Sequence, residues 1–399
     1  MRLALDRADS LVLDNVLISC GTPEMFDDPV FSLVLSVAEE RPLNGRTKSA
    51  VSDLCRSALF VGAYPVAEHG NRGISEDLCV RLSSAGWQIR IVSRQSSRFG
   101  RLCEMLWTCW RESNRYEVAA VDLYSGPAFF WAKAVCAVLR RAGKPYILML
   151  HGGNLPTFAA RRRGLVRSLL TSAAAVTTPS HYLMEQMQTY RKDIQVLPNG
   201  ISISFYPYQL RRQGALRLMW LRAFHKIYNP GMAIQVLALL KQEFPDIHLT
   251  MIGPDKGDGS LQKTRQEAER LCVIDNLTLL GSVRKEDVPE KLADGDIFLN
   301  TARIDNTPVS VLEAMASGLC VVSTSVGGIP YLIRNEHDAL LVPSDNAESM
   351  AEAVRRIIVE PDLSRRLSCN ARRKVEQLDW SVILPRWEKL LSSVIHSDG

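Results

Sequence analysis

The feature that most constrains this chain is an alternation of short apolar runs with helical stretches, carried through twice. Apolar runs stand at Ser57–Gly62, Gln88–Ser93, Val118–Leu123, Tyr146–Leu150, Ala175–Thr178 and Gln195–Leu197, with helices expected near 74–85, 102–111 and 128–141. Strands without polar alternation, separated by helices of ten or more residues, mean a parallel sheet covered on both faces. The pattern restarts at Leu216–Leu221, after the polar stretch Tyr206–Gly214, which reads as a linker. Strands Leu249–Gly253, Thr278–Leu280, Ile297–Asn300 and Cys320–Ser323 follow, interleaved with helices over 230–243, 261–272, 285–293 and 308–317. Further helices are expected at 346–358 and 362–376, and one beginning near Asp379. The fold class is therefore α/β, with two Rossmann-like, doubly wound parallel-sheet domains. The carboxyl ends of their strands should face a shared cleft, where ligands of this architecture bind. Residues 58–205 form the first domain, 215–378 the second, and 379–399 a C-terminal helix crossing back to the first. Residues 1–57 show no strong period and read as an N-terminal extension.

With 399 residues the chain is long for one core and suits two domains of ordinary size. Its most apolar stretch, Ala128–Leu139, contains Lys133 and is too short to cross a bilayer, so a buried helix is expected. Asp6, Asp9 and Asp14 interrupt the start, which lacks the pattern of a secretory leader. The nine cysteines include no C-x-x-C pair and suit reduced thiols. A cytoplasmic location, at the inner membrane surface, is the expectation. Charge is unevenly placed. Over residues 58–199 there are 18 Lys and Arg against 9 Asp and Glu, whereas 211–399 holds 24 against 25. A basic first domain points to an anionic partner there.

The chemistry concentrates in Asp305-Asn306-Thr307-Pro308-Val309-Ser310-Val311-Leu312-Glu313. Thr307 can cap a helix whose first residue is Pro308. The N–H groups of Val309, Ser310 and Val311 would then be free at the positive end of the helix dipole, a place that favours phosphate. Asp305 and Glu313 would bracket that anion hole and hold sugar and ribose hydroxyls. The same spacing also fits a capped core helix with two solvated acids. The spacing leaves both readings open.

The segment resembles the donor-site motif of family-4 retaining glycosyltransferases of the GT-B fold. Their pattern is Glu, seven residues, Glu, then Ala-Met-Ala-x-Gly; here Ala314-Met315-Ala316-Ser317-Gly318 matches and Asp305 replaces the first Glu. Val176-Thr-Thr-Pro-Ser180, Val196-Leu-Pro-Asn199-Gly200, the Pro245–Gly253 strand and Trp380 also fit. Ser325-Val-Gly327-Gly328 and Ala339-Leu-Leu-Val-Pro343 resemble the family's later loops, and the likeness runs through most of residues 58–395. It implies an acceptor domain followed by a nucleotide-sugar domain. Glu313 would hold the ribose and Asp305 the sugar hydroxyls. Arg222 would clamp the diphosphate together with Asn306, Thr307, Val309 and Ser310 at the helix start.

By the same resemblance His151, ending a strand before Gly152-Gly153, contacts the donor sugar near the reacting carbon. Gly73 corresponds to a phosphate-approaching glycine, with Arg72 in place of a more usual second glycine. Lone histidines at strand ends are often structural and glycines often mark ordinary turns, so both readings stand open. The family's phosphate-binding lysine falls on Ile227. Lys226 is its neighbour, and Asn229-Pro230-Gly231 offers a second helix start in its stead.

The implied activity is a retaining, hexosyltransferase-type transfer from a nucleotide sugar to a glycan, lipid-linked or small-molecule acceptor. No metal is expected, because no Asp-x-Asp cluster sits at a strand end and Arg222 with the helix dipole can neutralise the leaving group. No nucleic-acid partner is expected. Leu102, Leu106 and Trp110 share a helical face flanked by Arg98 and Arg101; it fits a peripheral membrane contact or the inner face of a sheet-covering helix. Three rivals share the architecture. A pseudoenzyme would bind the donor and not turn over, while a dehydrogenase needs a Gly-x-Gly-x-x-Gly that neither Gly70–Gly73 nor Gly253–Gly259 supplies. A solute-binding protein needs a leader.

Overall fold

A computed structural model describes residues 5–6, 10–13, 16–19, 56–62, 73–92, 97–211 and 216–397. The chain divides into two compact units, Met1–Leu54 and Cys55–Gly399. Within the first, strands β1 (Leu5–Asp6), β2 (Ser10–Leu13) and β3 (Val16–Ser19) form an antiparallel sheet in that order. The rest of the expected extension, the 63–72 loop with Arg72, and 212–215 lie outside the described residues.

The second unit holds two parallel six-stranded sheets. The first contains β4 (Ser57–Val61), β5 (Gln88–Val92), β6 (Val118–Leu123), β7 (Tyr146–Leu150), β8 (Ala175–Thr178) and β9 (Gln195–Val196), ordered β5-β4-β6-β7-β8-β9. Strands β4, β6, β7 and β8 are buried along their whole length, as continuous apolar runs require. The second sheet contains β10 (Arg217–Leu221), β11 (His248–Ile252), β12 (Leu277–Gly281), β13 (Ile297–Asn300), β14 (Cys320–Thr324) and β15 (Leu340–Val342), ordered β12-β11-β10-β13-β14-β15. Order reverses between β10 and β13, which makes the carboxyl ends of that pair the topological switch point. Residues 339–343, expected as a loop, instead supply β15, because Leu340–Val342 pair in parallel with Val322–Thr324.

Both faces of the second sheet are covered. Trp220, Leu237, Leu249 and Val354 belong to one core cluster, and Met219, Phe298, Leu312 and Met315 to the other. The Trp380–Ser397 helix brings Trp380, Ile383, Trp387 and Leu391 into the core of the first sheet. The return crossing is pinned by Ile201: its N–H donates to the Leu378 carbonyl (3.0 Å), and its carbonyl accepts from Trp380 N–H (3.1 Å). The described part of the expected linker, Tyr206–Arg211, packs on the second lobe, with Tyr206 in its core and Arg211 buried.

The Arg98–Arg111 helix packs on the Pro127–Arg141 helix. Met105 and Cys109 are buried, while Leu102, Leu106 and Trp110 are only partly covered. The apolar residues most open to solvent are Phe99 (63%) and Trp107 (45%), so the outward face is not the one expected from the sequence. Among the described residues no helix is long and apolar enough to cross a membrane.

Candidate active site

Arg222 follows β10 directly, and the Asp305–Pro308 loop follows β13, so the switch point puts them side by side. The Arg222 guanidinium pairs through Nη2 with Asp305 Oδ2 and lies over the Tyr228 ring, 4.7 Å from its centroid. Its peptide is fixed from below by Gly253 (φ 150°), where a Cβ would fall 1.7 Å from the Arg222 carbonyl oxygen. A Cβ at Gly327 would lie 2.0 Å from the Asp305 carbonyl oxygen, and one at Gly328 2.1 Å from that of Asn306. This close approach is the reason for the Gly-Gly pair.

The helix after the loop runs Val309–Ala316 with Pro308 as its N-cap, one residue later than expected. Thr307 therefore makes no cap. Val311 and Leu312 both donate to the Pro308 carbonyl (3.2 and 3.4 Å), which removes Val311 from the expected anion hole and leaves Val309 and Ser310 in the open first turn. Arg222 Nε, Thr307 Oγ1 and Ser310 Oγ are buried without a hydrogen-bond partner. Buried donors and hydroxyls are nearly always paired in folded proteins, so three orphans on residues expected to hold one diphosphate mark a ligand site.

Glu313 sits one turn further in, buried, and accepts a hydrogen bond from Tyr206 Oη (2.8 Å). Burial raises its pKa above the usual carboxyl range, against the lowering effects of the Tyr206 bond and the Lys285 and Arg222 charges. Its partner Tyr206 was not expected, since it lies in the stretch that reads as a linker.

Across the cleft, His151 ends β7 and its Nε2 lies 2.9 Å from Asp122 Oδ1. A carboxylate only accepts, so Nε2 carries the proton and Nδ1 is left as acceptor when the ring is neutral. Ser75 Oγ also donates to Asp122 Oδ1 (3.2 Å), and Tyr124 stacks on the imidazole at 5.0 Å between centroids. Asp122 and Tyr124 were missed from the sequence. An Asp near the carboxyl end of an otherwise apolar strand was the available signal. The β7 and β13 loops meet: a Cβ at Gly153 would fall 3.3 Å from the Asp305 carbonyl oxygen.

Four expectations need correction. Gly73 has an ordinary φ of −72°, and its N–H is taken by Glu76 Oε2 (2.7 Å), so it presents no free donor to a phosphate. Asn306 spends its side-chain oxygen on Ser180 Oγ of the first lobe. Lys226 is exposed, and its contacts are through the backbone, N–H to Asp258 (2.9 Å) and carbonyl from Arg303 (3.0 Å). Asn229 adopts a left-handed conformation (φ 47°) and sends its amide to Asp345 (2.8 Å) rather than capping the Pro230–Lys241 helix. Among the described residues no group of three or more His, Cys, Asp or Glu is placed to hold a metal ion.

Comparison with known families decides what such a site belongs to. Glycosyl transferases group 1 matches residues 212–374, and Glycosyltransferase Family 4 matches residues 75–205. The chain belongs to the group 1 glycosyltransferases. Among curated relatives of this transferase, the human phosphatidylinositol N-acetylglucosaminyltransferase is 29% identical over 42% of the chain and 34% of that protein. The N-acetyl-alpha-D-glucosaminyl L-malate synthase of Bacillus anthracis is 26% identical over 66% of the chain and 73% of that protein. Thus the match spans about a third of the human protein's length. Among solved structures, sucrose-phosphate synthase from Thermosynechococcus elongatus superposes with a TM-score of 0.73 at 16% identity, covering 86% of this transferase and 100% of that chain. Anabaena HepE in complex with UDP-glucose gives 0.68 at 17% identity, covering 84% and 99%. Both are likenesses of GT-B fold, which the two facing sheets of the transferase share.

Proposed function

We propose that this glycosyltransferase moves a sugar from a nucleotide-sugar donor to its acceptor with retention of anomeric configuration, the donor held by the second lobe. The observation that carries the reading is the set of orphaned polar atoms, Arg222 Nε, Thr307 Oγ1 and Ser310 Oγ, beside the free first turn of the Val309–Ala316 helix. A diphosphate supplies acceptors for all three, and the dipole and guanidinium supply its countercharge. Glu313 takes the ribose hydroxyls and Asp305 the sugar hydroxyls. His151, held by Asp122, stands near the reacting carbon.

As the anomeric C–O bond breaks, its electron pair passes to the diphosphate, and the acceptor oxygen bonds to the carbon on the same face. The acceptor's proton goes to the departing phosphate oxygen. Arg222 and the helix N–H groups meet the growing charge, so no metal is called for in this scheme. The names of two relatives contain N-acetylglucosaminyl or its equivalent, and HepE was solved with UDP-glucose, which makes UDP-sugars the first donors to try. The test is proton NMR of product formed from UDP-, GDP- or ADP-sugar. The anomeric proton coupling of the donor should persist in the product; the opposite configuration would contradict retention.

The acceptor side follows from charge. Residues 58–199 hold twice as many basic as acidic side chains, and Phe99, Trp107 and Phe130 are exposed on that lobe with Arg162 stacked over Phe130 (5.2 Å). A lipid-linked or otherwise anionic acceptor fits this surface, met by peripheral contact. Binding to vesicles containing anionic lipid should weaken as salt brings the screening length below about 8 Å. Absence of binding at low ionic strength would remove this part of the reading.

A further inference from the structure

We propose that Ser180 is a positioning residue for transfer, tying lobe closure to the shape of the donor loop. The inference rests on the donor-site reading above. Ser180 caps the His181–Met187 helix, its Oγ accepting the Leu183 N–H at 3.1 Å. That cap uses only an acceptor. The hydroxyl proton goes elsewhere: Ser180 Oγ donates to Asn306 Oδ1 of the opposite lobe, and both residues are buried.

Asn306 passes the contact on. Its N–H donates to Asp305 Oδ1 (2.9 Å), and the other oxygen of that carboxylate pairs with Arg222. Gly328 N–H holds the Asp305 carbonyl from behind at 3.1 Å, and Asn199 Nδ2 from the first lobe reaches the Thr307 carbonyl at 3.4 Å. A chain of four residues, Ser180, Asn306, Asp305 and Arg222, thus runs from the first lobe to the charge that meets the diphosphate.

Away from water, a hydroxyl and an amide oxygen left without each other are costly, so their bond is complete only when the lobes are closed in this register. A donor entering the cleft displaces Arg222 from Asp305 in part. Asn306, held by Ser180, then keeps the Asp305 carboxylate aimed at the sugar. Two further pairs, Asp77–Lys285 and Glu185–Tyr331 (2.7 Å), span the lobes, but only the Ser180 bond ends on the donor loop itself.

Substitutions separate the cap from the cross-lobe bond. Ser180→Asp keeps a strong capping acceptor, has no proton to give when ionised, and sets a carboxylate against Asn306 Oδ1. Ser180→Thr keeps both functions. For Ser180→Asp we expect a turnover loss of tenfold or more, with the thermal midpoint within a few degrees of wild type and the donor dissociation constant changed by less than about threefold. Ser180→Thr should restore most of the turnover, and Asn306→Ala should add little on top of Ser180→Asp. Wild-type turnover in Ser180→Asp, or losses that simply multiply in the double variant, would overturn the proposal. Small-angle scattering gives an arm independent of catalysis: with UDP, GDP or ADP added, Ser180→Asp should be more extended than wild type. If wild type transfers no sugar, the donor-site reading fails; equal scattering profiles would sink the cross-lobe link.

Discussion

Replacing Arg222 by alanine is expected to lower turnover by about a hundredfold or more, the usual consequence of removing one strong electrostatic stabiliser. Negative charge grows on the diphosphate as the glycosidic bond breaks, so a fixed cation there counts for more in the transition state than in the ground state. The geometry adds a reason. Arg222 uses Nη2 on Asp305 while Nε is buried without a partner, so one planar fork can keep the loop and take a phosphate oxygen together. Arg222→Lys keeps a charge but has no fork, and should recover only part of the loss. Donor affinity should fall less than turnover in both variants. Product formation at saturating donor, with dissociation constants measured alongside, separates the two. Unchanged turnover in Arg222→Ala would remove Arg222 from the site.

Glu313→Gln should move affinity and stability in opposite directions. Loss of charge-assisted bonds to ribose, each worth roughly 1.5–3 kcal/mol, lowers donor affinity about tenfold or more. Stability follows from the raised pKa of this buried carboxyl. A folded state that holds the proton more tightly than the unfolded one is destabilised when the group ionises. The cost sets in as pH rises through the unfolded value of about 4.3 and is complete above the raised folded value. At neutral pH the glutamine carries none of it and keeps the shape, so its thermal midpoint should equal or exceed wild type. By the same sign, wild-type donor binding should weaken on acidification while the glutamine variant responds less. A folded variant with unchanged donor binding in calorimetry would refute the ribose assignment.

Much of this was legible in the sequence, for identifiable reasons. Val118–Leu123, Tyr146–Leu150, Ala175–Thr178 and Ile297–Asn300 fall where the apolar runs place them, because a strand buried on both faces carries no polar interruption to blur its ends. Leu340–Val342 was hidden by its length: three apolar residues beside a proline look like a loop until β14 pairs with them. The helices Leu155–Arg161, Arg163–Thr171 and His181–Met187 are short, and seven or nine residues give little periodicity to read. At the site, Arg222, Asp305 and Glu313 were readable because each lies beside a strand end or a helix start. Tyr206 and Ser180 were not, since their partners are 107 and 126 residues away in the chain and no local pattern announces such a bond. Gly73 was misjudged because the need for glycine is a matter of φ and neighbours, and both are ordinary there.

The central claim is that the switch point between β10 and β13 binds a nucleotide sugar. Calorimetric titration of the wild-type chain with UDP-, GDP- and ADP-sugars tests it most directly, run beside Arg222→Ala and Glu313→Gln. The account predicts one donor class bound at a single site, weakened about tenfold or more by Glu313→Gln and less by Arg222→Ala. No binding of any nucleotide sugar, or binding that neither substitution touches, would contradict it.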